Sequence, residues 1–347
     1  MTQARAQIRT DGTVAPAVSA VPVWLALVFS VLIGALYAVQ SRVNGELGHQ
    51  IGDGFTAAVI SFGSGLVILS LGLIVARSGR RGLQLVARGV KAKHLSWWHL
   101  LGGLAGALFV LSQGLVAAPL GIALFTVAVV AGQTVSGVLM DRFGIGPGGR
   151  RTLHASKIVG AALALAAVAF TVSGELHGSG ALWLLALPLI AGIGQGWQQA
   201  VNGQVRVTAQ SALTATFLNF LTGTIALVLA AIVHGLLVGF ALDLPSNPWL
   251  YTGGLIGCIF IAGAALVVRT TGVLMLGLCI VAGQLLCALA LDLLAPSAGH
   301  PLGLTTIAGT ALALVAVVIA AVRWRRPDHA RGTPRTPGHS DAQSERL

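Results

Sequence analysis

Charge is what this chain has least of. Only 9% of its 347 residues are Asp, Glu, Lys or Arg, against about a quarter in an ordinary soluble domain. Acids are the scarcer sign, with 10 Asp and Glu against 21 Lys and Arg. The chain is 55% apolar with a mean hydropathy of +0.86. No water-soluble fold hides that much apolar surface, so the chain reads as an integral membrane protein whose surroundings are the lipid bilayer. Cysteines number three, Cys258, Cys279 and Cys287, all inside apolar stretches. They read as small core residues, which excludes a disulfide framework and a cysteine metal site. A G-x-x-x-x-G-K-[ST] phosphate loop is missing, which excludes ATP hydrolysis by that route. Paired acids, a Ser/His pair at shared depth and a metal-ligand cluster are missing too, so neither an enzyme nor a metal or cofactor is expected.

What the chain does have is long apolar runs. A helix needs about 20 apolar residues to cross a bilayer. Candidate spans lie at 24–44, 55–76, 97–117, 120–140 and 154–172, and again at 182–203, 212–235, 249–268, 272–291 and 304–324. Two connections are very tight, marked by Pro119 and by Arg269-Thr270-Thr271. With the N-terminus in the cytoplasm, 20 of the 21 Lys and Arg fall on the inner side and only Arg42 falls outside. This asymmetry places both termini in the cytoplasm. It also explains the formal charge of +11 without a nucleic-acid partner. The small residues around Ala15-Pro16-Ala17 precede the first apolar run, the reverse of a cleavable signal peptide, so the first span reads as retained.

The chain also repeats itself. Gln40-Ser41-Arg42-Val43-Asn44-Gly45 returns 158 positions later as Gln198-Gln199-Ala200-Val201-Asn202-Gly203. Gly34, Thr56, Ala57, Phe62 and Gly65 keep that register with Gly192, Thr214, Ala215, Phe220 and Gly223. At an offset of 151, Gly102-Gly103-Leu104-Ala105-Gly106 matches Gly253-Gly254-Leu255-Ile256-Gly257. Ala131-Gly132-Gln133 likewise matches Ala282-Gly283-Gln284, and Asp141 matches Asp292. Each half holds five spans, and an odd number makes the second half enter the membrane in the opposite sense. The expected fold is therefore an all-α integral membrane protein, ten transmembrane helices as two inverted five-helix repeats. Residues 24–173 and 174–324 form the repeats, 1–23 a cytoplasmic N-terminal segment and 325–347 a disordered Pro-, Arg- and Ser-rich tail.

Amides carry the candidate chemistry. Gln40 and Asn44, like Gln198 and Asn202, are four apart and share a helix face. They offer donors and acceptors that are costly to leave unpaired in hydrocarbon. Two roles fit them: lining a polar substrate site, or tying neighbouring helices together. Gln133 and Gln284 follow Ala-Gly near mid-span, the deepest strong polar groups in the chain, and read as pocket-lining. Arg42, whose counterpart is Ala200, has two readings: an arginine snorkelling to the headgroups, or one that attracts an anionic substrate at the outer mouth, with Glu46 within reach at i,i+4 in either case. Glu46, Asp53, Asp141, Glu175, Asp243 and Asp292 sit at span ends or in loops. No carboxylate is therefore placed for mid-membrane proton coupling; His234 is the best histidine candidate for that role, but its place late in the seventh span reads first as an interfacial residue near the outer headgroups. Gly102/Gly106, Gly192/Gly196 and Gly253/Gly257 are small-residue faces for close helix contact, within one chain or in a homodimer.

Ten spans in two inverted halves resemble the drug/metabolite transporter superfamily. The Q-x-x-x-N-G element, each time followed by a span carrying Phe62 or Phe220 with a glycine three residues on, resembles the YdcZ-like inner-membrane exporter family. That resemblance implies a bacterial inner-membrane transporter with a central site between the halves. Four-span multidrug pumps of the same superfamily use a membrane-embedded glutamate in the first span, where this chain has Gln40 and Asn44. The departure speaks against proton-coupled export of cationic drugs. The function expected is a secondary transporter, an exporter of a small polar or amphipathic metabolite. Its site is lined by Gln40, Asn44, Gln133, Gln198, Asn202 and Gln284. The alternative is a non-transporting receptor subunit or scaffold.

Overall fold

The computed structural model describes residues 22–146, 149, 155–173, 182–240, 243–295 and 303–321. The expected N-terminal segment, the C-terminal tail and the junction between the halves lie largely outside them. Every regular element is helical among the described residues, as lipid requires of backbone that must satisfy its own hydrogen bonds. Helix α1 (Val23–Ile51) follows Pro22 and ends at Gly52, whose φ of 73° closes it in the left-handed region. Asp53 then caps α2 (Gly54–Val75) by accepting from the amides of Phe55 and Thr56. The equivalent turn of the second half keeps this plan. Gln210 is left-handed at φ 52°, and Ser211 caps α9 (Ala212–Val238) after α8 (Leu182–Ala209).

Between these lie α3 (Arg77–Lys91), α4 (Gly102–Ser112), α5 (Ala118–Leu120), α6 (Ile122–Phe143) and α7 (Ala155–Ser173). Among the described residues α10 (Gly253–Leu294) and α11 (Leu304–Ala321) follow α9. A 3-10 turn, Trp97–Leu101, leads into α4, and a π turn, Gln113–Ala117, leaves it. The tight connection expected at Pro119 is present, since Pro119 sits in α5 and Gly121, at φ 76° and ψ 152°, starts α6. Helix α3 had no place among the expected spans. Its Arg77, Arg80, Arg81, Arg88 and Lys91 ride on a face opposite Gly79, Gly82, Val86 and Gly89, which are buried. That small-residue face packs on α8 and α9, where Gly79 meets Leu213, Gly82 meets Thr214 and Gly89 meets Thr208, so α3 is a basic surface helix and not a span.

The second tight connection differs from expectation. The stretches 249–268 and 272–291 are not parted by a loop; helical backbone runs the whole 42 residues of α10. A straight helix of that length would extend roughly 63 Å. Yet its two ends meet the same turns of α1: Gly253 abuts the Asn44 carboxamide, and Asp292 lies 3.7 Å from Arg42. Gly263 and Ile280 likewise both meet α1 at Ile33 and Gly34. The helical segment therefore doubles back between Gly263 and Ile280, the interval that holds Arg269-Thr270-Thr271.

Five helical stretches among the described residues are long and apolar enough to cross a membrane: Trp24–Ile51, Gly54–Val75, Trp97–Leu120, Ile122–Met140 and Ala212–Val238. Shorter apolar helices are Ile158–Ala167, Cys279–Leu294 and Leu304–Ile319. Helix α8 is less apolar because Gln195, Gln198, Gln199 and Asn202 interrupt it. The outward faces of α2 and α9 carry Val67, Leu71 and Ile74, and Ile225, Leu229 and Ile232, all well exposed. Rows of that kind, without polar relief, belong against lipid. Trp24, Trp97 and Trp249 are more than half exposed at helix ends, as in an aromatic belt.

Candidate functional site

Glycines decide where the amides go. A Cβ on Gly257 would stand 2.7 Å from Gln40 Nε2, and one on Gly253 would collide with Asn44 Oδ1. In the other half a Cβ on Gly106 would stand 2.6 Å from Gln198 Nε2, and one on Gly102 2.7 Å from Asn202 Oδ1. Each amide pair is thus seated on the G-x-x-x-G face of the opposite half. Between the two seats, the rings of Phe62 and Phe220 stack with centroids 4.8 Å apart. Each ring fills the space beside the other half's glycine, Phe62 at Gly223 and Phe220 at Gly65.

The hydrogen bonds of the two clusters differ. Gln40 Nε2 donates to the Gly253 carbonyl oxygen at 2.8 Å, and Asn44 Nδ2 donates to Gln113 Oε1 at 2.7 Å. Gln113 Nε2 continues to Ser41 Oγ at 2.8 Å. Asn44 Oδ1 and Ser61 Oγ are buried without a partner. In the second cluster Asn219 Oδ1 accepts from both Gln198 Nε2, at 2.8 Å, and Asn202 Nδ2, at 3.0 Å. Gln113 and Asn219 were not among the residues picked from the sequence. The repeat could not reveal them, because their counterparts are Ala264 and Ser61. The π turn after Gln113 is an independent sign, since such turns gather at functional positions.

The third amide pair stands apart. Gln284 is 1% exposed, and neither its Oε1 nor its Nε2 has a partner. Its helix is pressed onto α1, because Cβ atoms at Gly34 and Gly283 would run into the carbonyl oxygens of Ile280 and Val31. Ala288, one turn on and on the same face, packs in a core cluster with Tyr37, Phe109 and Phe125. Tyr37 Oη and Thr126 Oγ1 are also buried and unpartnered. Gln133, midway along α6, is half-buried. The structure therefore joins Gln40 with Asn44, joins Gln198 with Asn202, and leaves Gln284 in a separate mid-helix setting.

The charged residues are better tied than expected. Arg42 does not pair with Glu46 within one turn: Glu46 accepts from Gln50, and Arg42 lies 3.7 Å from Asp292. Asp292 in turn accepts from the Ala123 amide at 2.6 Å, capping α6 from 169 residues away. His234 is 3.6 Å from Asp53 and stacks on Phe55, so it stands at the N-terminal end of α2. Among the described residues no group of three or more His, Cys, Asp or Glu side chains is placed to hold a metal ion.

Long apolar helices with lipid-facing rows and amides buried between them define a multi-pass membrane protein. The chain belongs to the family described as "Putative inner membrane exporter, YdcZ", which matches residues 25–170 and 183–319. No curated protein matches it at a significant level. The chain is accordingly a transporter and a multi-pass membrane protein.

Proposed function

We propose that the chain is a secondary transporter exporting a small polar or amphipathic metabolite by alternating access. In this reading it has ten spans in two inverted halves, 24–173 and 174–324, with both termini in the cytoplasm. One observation carries the reading. Contacts between the halves come in pairs at the offsets of the repeat: Gly34 on Ile280 with Gly192 on Val129, Gly283 on Val31 with Gly132 on Leu189, Gly254 on Ser61 with Gly103 on Asn219. Reciprocal pairs of this kind are what a two-fold axis produces. The stacked Phe62 and Phe220, each other's counterparts, lie on that axis. The reversal within α10 supplies the eighth and ninth spans.

An axis in the membrane plane sends the two amide seats to opposite faces. Gln40 and Asn44 then close the outer end, Gln198 and Asn202 the inner end, and Gln133 and Gln284 stay at mid-depth. Of the six candidates, we assign substrate contact to Gln284 first, because a buried amide with no protein partner is what a substrate would satisfy, and to half-buried Gln133 as its counterpart in the repeat. The four seat amides act as gates that break and reform. The scaffold reading draws on one fact: Asn219 already occupies Gln198 and Asn202, as pure tethers would be. The test is flux in reconstituted vesicles, with candidate solutes chosen by thermal shift of the purified protein. Gln284→Leu should abolish flux while the protein still inserts and folds. Undiminished flux would remove Gln284 from the site, and a bound ligand without flux would favour the scaffold.

A further inference from the structure

We propose that the cleft at the C-terminal end of α1 recognises a zwitterion, and that its occupation loosens the Arg42–Asp292 contact. The cleft has a volume of about 300 Å³ and is lined by Arg42, Glu46, Gln50, Asn247, Trp249 and Leu250. That is the lower end of the range for small-molecule sites. Arg42 and Glu46 are one helical turn apart, which separates their Cβ atoms by about 5–6 Å. A cation and an anion so spaced on one wall select against ligands of a single sign. An anion alone meets the Glu46 and Asp292 carboxylates, and a cation alone meets the Arg42 guanidinium. A molecule carrying both satisfies both.

The neighbouring groups suit such a ligand. Glu46 Oε1 accepts from Gln50 Nε2 at 2.8 Å, which leaves Glu46 Oε2 and Gln50 Oε1 as acceptors for an ammonium. Asn247 Oδ1 accepts from the Trp249 amide at 3.1 Å, which leaves the Asn247 Nδ2 donors for an anion. The Trp249 ring, 54% exposed, offers a face to an ammonium or a carbon skeleton. Arg42 belongs to the cleft and to Asp292 at once. Its 3.7 Å approach to Asp292 Oδ1 is longer than a hydrogen bond, while Asp292 Oδ2 stays on the Ala123 amide. A ligand anion competes for the same guanidinium and so draws α1 away from α10 and the start of α6. The second half has Ala200 in place of Arg42, so the device exists at one face only.

Two sources share this chemistry: a dissolved amino-acid-like solute, and the phosphoethanolamine headgroup of a lipid at the interface. The test measures equilibrium binding, which does not depend on flux. Glycerophosphoethanolamine is titrated into the detergent-solubilised protein beside glycerophosphate and ethanolamine. Vesicles of phosphatidylethanolamine are compared with vesicles of phosphatidylglycerol by melting temperature. The zwitterion should bind where neither half-molecule does, and Arg42→Gln and Glu46→Gln should each weaken it about tenfold, the loss of one hydrogen bond to a charged group. Asp292→Asn, which keeps the cap on α6 but removes the competing charge, should tighten binding about threefold. Stabilisation by phosphatidylethanolamine without soluble binding would assign the site to lipid; soluble binding in both vesicle types would assign it to a solute. Equal binding of glycerophosphate or ethanolamine, indifference to both cleft variants, or no response in either arm would overturn the site. An unchanged affinity in Asp292→Asn would overturn the coupling.

Discussion

Asn219→Ala should destabilise the protein by about 1–3 kcal/mol, while Ser61→Ala, its counterpart 158 residues earlier, should cost almost nothing. The difference follows from what each side chain holds. Asn219 Oδ1 accepts from two amides on α8. Its truncation strands Gln198 Nε2, in a side chain only 6% exposed, and Asn202 Nδ2, in a half-buried one. Helix-to-helix hydrogen bonds in membrane proteins average about 0.6 kcal/mol and reach about 1.7. Two of them, one deeply buried, give the stated range. Ser61 Oγ has no partner to lose; in its half the load rests on Gln113 and the Gly253 carbonyl. The assay is reversible unfolding in mixed micelles, with a double-mutant cycle between Gln198→Ala and Asn219→Ala expected to give a coupling of about 0.5–1.5 kcal/mol. Equal costs at positions 61 and 219, or a coupling near zero, would refute the network as described.

Gly34→Ala and Gly192→Ala should damage stability to similar extents, by about 1–3 kcal/mol or more. Each would place a Cβ well inside the 3.0 Å that real Cβ atoms keep, against Ile280 and Val129 carbonyl oxygens that cannot swing away; thermal denaturation of the pair checks the equivalence. Gln284→Leu should leave stability unchanged or raise it by about 1 kcal/mol, since an unpaired buried amide gives way to an apolar group of similar shape, and it should do so while abolishing flux. Gly121→Ala should cost about 1–3 kcal/mol, because φ 76° with ψ 152° is a glycine conformation and the new Cβ would stand 3.3 Å from Asp292 Oδ2. Unfolding free energies of that variant and wild type decide the point.

Much of this architecture is written in duplicate, and duplication is what a single sequence displays best. The G-x-x-x-G faces, the Q-x-x-x-N pairs and the glycine-phenylalanine spacing recur because both sides of each contact recur. The residues that the repeat hides are those that break it. Gln113 faces Ala264 across the register, Asn219 faces Ser61, and Arg42 faces Ala200, so each looks like an isolated polar residue. Asp292 was legible as an acid at a span end but not as the cap of a helix beginning 170 residues earlier, because side-chain pairing at that separation leaves no local pattern. Helix α3 did leave one, in Gly79, Gly82, Val86 and Gly89 at helical spacing, but its basic residues read more loudly as a cytoplasmic loop. The doubling back of α10 was legible in the Arg269-Thr270-Thr271 interruption, although no loop residues mark it. That Gln284 would be unpaired and Gln198 paired could not be read at all, since both are glutamines in apolar helices and only their neighbours distinguish them.

Alternating access is tested most directly by locking one amide seat and reading the other, in a chain whose three cysteines have been replaced by serine. A short bifunctional thiol reagent joins Gln198→Cys to Gly106→Cys, and Asn44→Cys, at a site now fully buried, reports through its reaction with a membrane-impermeant thiol reagent. Locking this seat should raise the reactivity of position 44 from the outer face. Locking Gln40→Cys to Gly257→Cys should expose Asn202→Cys from the cytoplasmic face. Reactivities that ignore the lock at both ends would contradict the account and leave a rigid scaffold in its place.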